Sequence, residues 1–346
     1  MSLPGKEWEE GHRVTEKRFF HAPLYVALLF LAAPFLAEVL PGVNPPAELM
    51  RQPWAVLPLV VLYGSGAVLA RELTVRWKSG YPTLLLLGAA YGVLEEGLLV
   101  RSFFDPAWLK WPALAGYGRW LGVNLVWALH LTLYHAVFSM AIPVTLVQRG
   151  RAWPLARPWL GPWGWWLVGG LYLLRLGLGW RSDSLYRASA FHVAGVLVVT
   201  ALLLFWARRV ASFPRKPRGQ QVPRKAPAPW RLSLWALGTS TLFFVVSWGL
   251  PLWGVPAWVV VPVLLGLAMG AFAFLAAWGR RGGWGPRHRF ALASGGVLFF
   301  VLLAWLQEWR PDPAASRQGM ALLGLLTALT LFWAYRGLPA REPGAL

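Results

Sequence analysis

The sequence predicts an all-α, polytopic membrane protein, and its composition and its apolar runs support this prediction. Of the 346 residues, 57% are hydrophobic and only 14% are charged, whereas about a quarter of the residues in soluble domains are charged. Several apolar runs approach or exceed the ~18 residues that a membrane-spanning helix needs. A β-barrel would show short alternating segments instead. We therefore expect a bundle of transmembrane helices.

About ten spans can be placed on these runs. They are 22–40, 54–70, 82–100, 120–147, 163–180, 188–206, 232–252, 255–278, 290–308 and 320–335. If the N-terminus is cytoplasmic, most of the 33 Lys and Arg fall in inner segments. The positive-inside rule then predicts that both termini are cytoplasmic. The expected location is the cytoplasmic membrane of a bacterium.

The spans divide the chain into a six-span domain, 22–206, and a four-span domain, 232–335, flanked by tails at 1–21 and 336–346. The segment between the domains, 207–231, is basic and Pro-rich. It can bind anionic lipid head groups or merely orient the neighbouring spans. Because the net charge of +19 is concentrated in such segments, we expect contact with the lipid bilayer and not with nucleic acid. The absence of cysteine excludes disulfides, thiolate nucleophiles and cysteine metal sites.

Two adjacent glutamates, Glu95 and Glu96, interrupt an apolar run in "YGVLEEGLLVR". Ionisable residues within spans usually face the interior of the bundle or a water-filled cavity. Other polar residues in or near the spans fall mostly in the same outer half of the membrane. We therefore predict a shared polar cavity that opens outward. The other candidates are Asn124, His130, His135, Arg175 and His192, whereas Glu38 and Glu308, near the ends of their spans, are expected to reach the membrane interface.

Helix geometry limits which of these side chains can meet. Adjacent residues lie about 100° apart, so one glutamate can line a site while the other turns to a neighbouring helix. In "VNLVWALHLTLYHAVFSMAIPV", Asn124 and His135 share a face, and His130 points roughly 140° away from His135. One histidine, but hardly both, can face the glutamates. Arg175 is the expected counter-ion, and Arg101 is expected at the membrane interface. Pairing that only fixes helix packing is the alternative for each residue.

On these residues the chain resembles the CAAX-protease and bacteriocin-processing family of intramembrane glutamic peptidases. That family carries EExxxR on one span, FxxxH on the next and a later HxxxN or HxxxD. Here Arg101 lies one residue later than the EExxxR spacing requires. The resemblance implies a catalytic role for Glu95, Glu96, His135 or His130, and His192. The segments "EEGLLVRSFFDPAW", "YGRWLGVN" and "YHAVFSMAIP" also resemble a group of uncharacterised multi-pass bacterial membrane proteins, which implies no activity.

The function predicted first is therefore a metal-independent intramembrane peptidase or other hydrolase, without a cofactor. Glu95 or Glu96 is the predicted general base for water, and His135 or His130 orients that water. Asn124 is a predicted hydrogen-bond donor to the oxyanion. The expected substrate is a membrane protein or peptide. Zinc held by one glutamate and two histidines is the less favoured chemistry, because the sequence has no HExxH. A proton-coupled transporter or channel-like protein, and a non-catalytic scaffold, stay open as alternatives.

Overall fold

The computed structural model describes residues 22–108, 114, 116–153, 156–182, 184–212, 226–280, 283–309 and 317–340. These residues are almost entirely helical, which confirms the all-α class. The predicted N-terminal tail, and most of the predicted linker and C-terminal tail, lie outside them. The helices are α1 (Ala22–Val39), α2 (Pro46–Arg51), α3 (Pro53–Arg76), α4 (Tyr81–Leu99), α5 (Leu125–Val147), α6 (Pro162–Ser182), α7 (Ala190–Ser212), α8 (Pro229–Leu252), α9 (Ala257–Arg280), α10 (Pro286–Glu308) and α11 (Met320–Arg336).

Eight of the described helices are long and apolar enough to cross a membrane: α1, α3, α4, α5, α7, α8, α9 and α10. The chain is therefore a multi-pass membrane protein whose helices contact the lipid bilayer. The two other predicted spans are also helices. Helix α11 is apolar but only 17 residues long. Helix α6 is rich in Gly and Trp and carries Arg175 and Arg181, and it is not among the eight.

Three predicted span boundaries differ from the helices by five or more residues, and the second span, predicted to end at residue 70, continues to Arg76. Residues Arg119–Trp120 and Val123–Asn124 pair as a short antiparallel hairpin, so the fourth span begins at Leu125 rather than at residue 120. Gly122 permits the tight turn because its φ is +80°. Helix α7 continues to Ser212, into the predicted linker. Ala and Arg in "ARRVAS" both favour helix, and the charge of the two arginines does not end it. The orientation of the chain in the membrane stays a prediction.

Four of the spanning helices contain a π-helical segment. These segments are Phe35–Val39 in α1, Glu95–Leu99 in α4, His135–Ala141 in α5 and Val245–Gly249 in α8. A π segment widens one turn of a helix, and such segments frequently occur at functional sites. Three of the four contain ionisable residues that the sequence analysis singled out.

Helix α5 lies between the two main hydrophobic clusters of the bundle. Its residues Met140 and Val144 pack into a cluster with α1, α3 and α4, whereas Phe138 and Ile142 pack into a cluster with α8, α9 and α10. Helix α4 approaches α5 closely, since a Cβ added at Gly92 would lie 2.8 Å from the Cβ of His135. Small residues permit such close helix packing in membranes.

Candidate functional site

The π segments of α4 and α5 bring Glu95, Glu96 and His135 into direct contact. Nε2 of His135 lies 3.2 Å from Oε1 of Glu96, and Nδ1 lies 3.5 Å from Oε2 of Glu95. The three side chains are buried, with residue exposures of 2% for His135, 3% for Glu95 and 8% for Glu96. Each imidazole nitrogen therefore faces a different carboxylate. We call these three residues the Glu–His–Glu cluster.

The sequence expectation that only one glutamate would face the histidine was not met. The two ring nitrogens of an imidazole point in different directions, so two carboxylates can approach one ring from different sides. Both glutamates lie at the start of the π segment Glu95–Leu99, where the helix departs from regular α geometry. The other expectation was confirmed, because His135 contacts the glutamates and His130 does not share these contacts.

Hydroxyl groups orient the cluster from two sides. The Ser102 hydroxyl donates to Oε2 of Glu96, and it accepts a hydrogen bond from the Trp127 indole at 3.1 Å. Oγ of Ser139 lies 3.0 Å from Nδ1 of His135, one turn along α5. Neither Ser102 nor Trp127 was predicted to take part, because Ser102 lies in the turn after α4 and Trp127 reaches it from another helix.

A third carboxylate approaches the cluster through a tyrosine. Tyr63 of α3 donates its hydroxyl hydrogen to Oε1 of Glu38, whose Oε2 accepts a hydrogen bond of 2.7 Å from Asn44. The ring centroid of Tyr63 lies 6.0 Å from that of His135. Glu38 lies in the π segment of α1. Its position near the end of an apolar run, like that of Glu95, was the sequence signal for this contact.

These groups lie between the midpoint and one end of their helices. The helices α1, α3, α4 and α5 are successive spans, and successive spans alternate in direction across a bilayer. Glu38 and Glu95 lie near the ends of α1 and α4, whereas Tyr63 and His135 lie next to the midpoints of α3 and α5. The grouping of polar residues in the outer half of the membrane stays a prediction.

The other two candidate histidines lie apart from the cluster. His130 is buried, and its ring stacks on that of Phe243 at 4.8 Å and on that of Trp127 at 5.4 Å. Nε2 of His192 lies 2.9 Å from the carbonyl oxygen of Leu121, and its ring stacks on Phe104. His192 thus holds the hairpin turn, so its proposed match to a third catalytic motif finds no support in the described contacts.

Asn124 has a structural role that the sequence analysis missed. It precedes α5 rather than lying within the span, and its Oδ1 caps the helix by accepting a 3.0 Å hydrogen bond from the Trp127 amide. Its Nδ2 donates to the carbonyl oxygen of Leu114 at 2.8 Å. The prediction that Asn124 donates to an oxyanion assumed that it lies on the same face of α5 as His135. Asn124 instead precedes the first residue of that helix.

The two candidate arginines also bind backbone groups. Arg101 was expected at the interface but is 1% exposed. Its guanidinium donates to the carbonyl oxygens of Trp180, Ser184 and Tyr186, at 3.0 Å for Ser184 and 2.7 Å for Tyr186. Nε of Arg175 donates to the carbonyl oxygen of Pro58 at 3.3 Å. His135, rather than Arg175, is the basic side chain that the structure pairs with the glutamates.

Two cavities lie near these elements. A small cavity of about 10 Å³ is lined by Asn124, Trp127 and Ser247, among others, next to the Trp127–Ser102 hydrogen bond. An apolar groove of about 400 Å³ between α1 and α3 is lined by residues such as Leu28 and Val60 and by none of the Glu–His–Glu cluster. The small cavity is likewise lined by no residue of the Glu–His–Glu cluster, and its link to the cluster is the Trp127–Ser102–Glu96 hydrogen-bond chain.

A family model described as "Uncharacterized membrane protein family" matches residues 27–275, which is more than half of the chain. The chain belongs to this uncharacterised membrane protein family. The matched range contains the whole Glu–His–Glu cluster and extends into α9. A search of curated proteins finds no match, and a search of solved structures finds none. The predicted kinship with uncharacterised membrane proteins is thus confirmed, whereas the resemblance to intramembrane glutamic peptidases gains no support from the matched family.

Proposed function

We propose that this chain is an intramembrane hydrolase whose acid–base centre is the Glu–His–Glu cluster. The observation that carries the proposal is the buried imidazole of His135 with a carboxylate 3.2 Å from one nitrogen and another 3.5 Å from the other. The pair at 3.2 Å is hydrogen-bonded, and an acid–base pair at that distance is what general acid–base catalysis requires. The carboxylate of Glu95 adds a second acidic group within ion-pair distance.

In this mechanism a carboxylate of the cluster accepts a proton from a water molecule as the water oxygen attacks the substrate carbonyl carbon. The protonated imidazole of His135 then gives a proton to the leaving group, such as the amine of a peptide bond. Ser102 holds one oxygen of Glu96 and leaves the other directed at His135. The small cavity beside Trp127 is of the size that one water occupies.

The depth of the cluster does not separate an enzyme from a carrier. Tyr63 and His135 lie next to the midpoints of α3 and α5, and the binding sites of carriers also lie near the midplane of the bilayer. We place the hydrolase first because the cluster supplies a hydrogen-bonded carboxylate–imidazole pair. From the distribution of Lys and Arg in the sequence, we expect the outer side of a bacterial cytoplasmic membrane. A membrane-embedded peptide is the substrate class that fits this location.

Hydrolysis of membrane-embedded peptides by the purified protein tests this proposal. We expect cleavage by the wild type, and a fall of about a hundredfold or more in the Glu96→Gln and His135→Gln variants. Glu48→Gln is the matched control, since Glu48 is exposed on the short helix α2. Thermal unfolding in detergent shows whether each variant is folded. Cleavage at the wild-type rate by folded Glu95→Gln and Glu96→Gln proteins contradicts the proposal.

Proton-coupled transport is the second candidate, and one feature of the cluster favours it. Because each nitrogen of His135 faces a carboxylate, a proton can arrive at one nitrogen and leave from the other. Proteoliposomes with an internal pH-sensitive dye separate the two functions. Solute uptake that depends on a proton gradient, and that disappears in His135→Gln, supports the carrier. Peptide cleavage without a gradient supports the hydrolase.

A further inference from the structure

The Glu–His–Glu cluster also has the composition and spacing of a metal site. One atom from each of Glu95, Glu96 and His135 can be chosen so that all three lie within 4.8 Å of one another. Two ligands of a tetrahedral metal, each bound at about 2.0–2.2 Å, lie roughly 3.4 Å apart. The 3.2 Å between Nε2 of His135 and Oε1 of Glu96, a hydrogen bond without an ion, is also close to this ligand separation.

The surrounding hydrogen bonds leave one oxygen of Glu96 and one nitrogen of His135 directed at each other, and an atom of Glu95 lies within 4.8 Å of both. Ser102 holds Oε2 of Glu96, which leaves Oε1 toward His135. Ser139 lies at Nδ1 of His135, so Nε2 can bind a metal while Nδ1 donates a proton to the hydroxyl. Hydrogen bonds of this kind, outside the ligands themselves, fix the orientation of metal-binding side chains.

Two buried oxygen atoms beside the imidazole do not meet the geometric limits of a hydrogen bond with any described residue, although Glu95 lies within reach of both His135 and Tyr91. One is Oε2 of Glu95, and the other is the hydroxyl oxygen of Tyr91. The ring centroid of Tyr91 lies 5.7 Å from that of His135, and the residue is 4% exposed. Buried polar atoms are nearly always paired. An ion at the cluster would bind the first atom, and a water on that ion would pair with the second.

Charge balance points the same way. The ion pairs that the structure describes for Glu95 and Glu96 are made with one imidazole, and neither involves Lys or Arg. Arg101, the nearest arginine along the chain, donates instead to backbone carbonyls. Two carboxylates buried with one imidazole repel each other unless protons or a cation neutralise them. A divalent cation supplies two positive charges at one point.

We propose that Glu95, Glu96 and His135 bind a divalent transition-metal ion of the zinc class, with water as a further ligand. Imidazole and carboxylate together suit zinc and neighbouring first-row metals. The inference goes beyond the hydrolase proposed above and does not require it. With a metal bound, the glutamates act as ligands rather than as bases, and the metal supplies the activated water.

Metal content of the tag-free full chain tests the inference. The protein is purified in detergent, stripped with a chelator, dialysed against Zn²⁺ and analysed by mass spectrometry, with Co²⁺ absorption as a second measurement. We expect one ion per chain in the wild type, and an affinity at least about tenfold lower in Glu95→Gln, Glu96→Gln and His135→Gln. Glu48→Gln and His192→Gln are matched controls that should bind as the wild type does.

The outcomes separate this inference from the proposed hydrolase. Stoichiometric Zn²⁺ that is lost in the three cluster variants supports the site, whether or not any peptide is cleaved. Cleavage by chelator-stripped protein that binds no Zn²⁺ overturns the metal site and leaves the hydrolase standing. If a cluster variant does not fold, the wild-type protein still decides the matter. A wild type that binds no Zn²⁺ and gives no Co²⁺ spectrum overturns the inference.

Discussion

The contact between Gly92 and His135 offers a direct test of how α4 and α5 form the site. In a Gly92→Ala variant, the new methyl carbon would lie 2.8 Å from the Cβ of His135 and 3.1 Å from its Cδ2. Carbon atoms in good contact lie about 3.5–4.0 Å apart. The helices must therefore separate, or His135 must move away from the two glutamates.

The magnitude follows from two opposing effects. Overpacking of a tight interior costs about 1–3 kcal/mol, whereas Gly to Ala within a helix gains up to about 1 kcal/mol. Gly170 of α6 is the matched control, because it is exposed and a Cβ there meets no atom within 4 Å. Both variants share the gain in helix propensity, so the difference between them isolates the clash. We expect Gly92→Ala to be less stable than Gly170→Ala by about 1–3 kcal/mol.

Equilibrium unfolding in mixed detergent micelles, followed by circular dichroism, measures this difference. A second readout is Zn²⁺ binding or peptide cleavage, which the Gly92 variant should weaken even where it remains folded. The Gly170 variant should keep both. If Gly92→Ala proves as stable as Gly170→Ala, the close approach of α4 to His135 is not present in the folded protein. That result would also refute the contacts between His135 and the two glutamates.

Three further predictions concern residues that hold the surrounding structure, and unfolding in mixed micelles measures each. Asn124→Ala should lower stability by about 1–2 kcal/mol because it removes a helix cap, whereas Asn124→Ser should recover part of the loss. Arg101→Lys should lower stability by about 2–4 kcal/mol, since lysine cannot reproduce the fork that reaches several carbonyls at once. Arg175→Lys should cost less than about 1 kcal/mol, and equal losses at the two arginines would contradict this. Glu72→Gln should lower stability by about 3–5 kcal/mol by leaving the buried Arg71 guanidinium without its anion, and wild-type stability would refute it.

The fold class could be predicted from the sequence because membrane insertion depends on local runs of apolar residues. That only one of His130 and His135 faces the glutamates was also predictable, because the two differ in angle around α5, whereas which of them does so was left open by the sequence. The predicted start of the fourth span was wrong for a local reason as well. A hairpin of four paired residues precedes α5, and its turn depends on the backbone at Gly122.

The partners of the buried arginines could not be predicted in this way. Arg101 binds carbonyls about eighty residues away, where the chain leaves α6. Arg71 binds the carbonyl of Arg157, where the chain approaches α6. Such contacts depend on how loops return to the bundle, and no periodic pattern encodes that path. The two buried guanidiniums therefore fix the two ends of α6, a role that a count of charges within spans does not reveal.

The π segments connect the local sequence to the proposed chemistry. Glu38, Glu95 and His135 each lie in a π segment, and these segments belong to α1, α4 and α5, which share a hydrophobic cluster with α3. A π turn gives up regular α-helical hydrogen bonding, so it persists where the surrounding packing stabilises it. An ion pair that only joined two helices could form between two regular α-helices and would need no π segment in either helix. The occurrence of three departures around a single imidazole therefore favours a site that holds a substrate, a proton or an ion over a contact that only fixes packing.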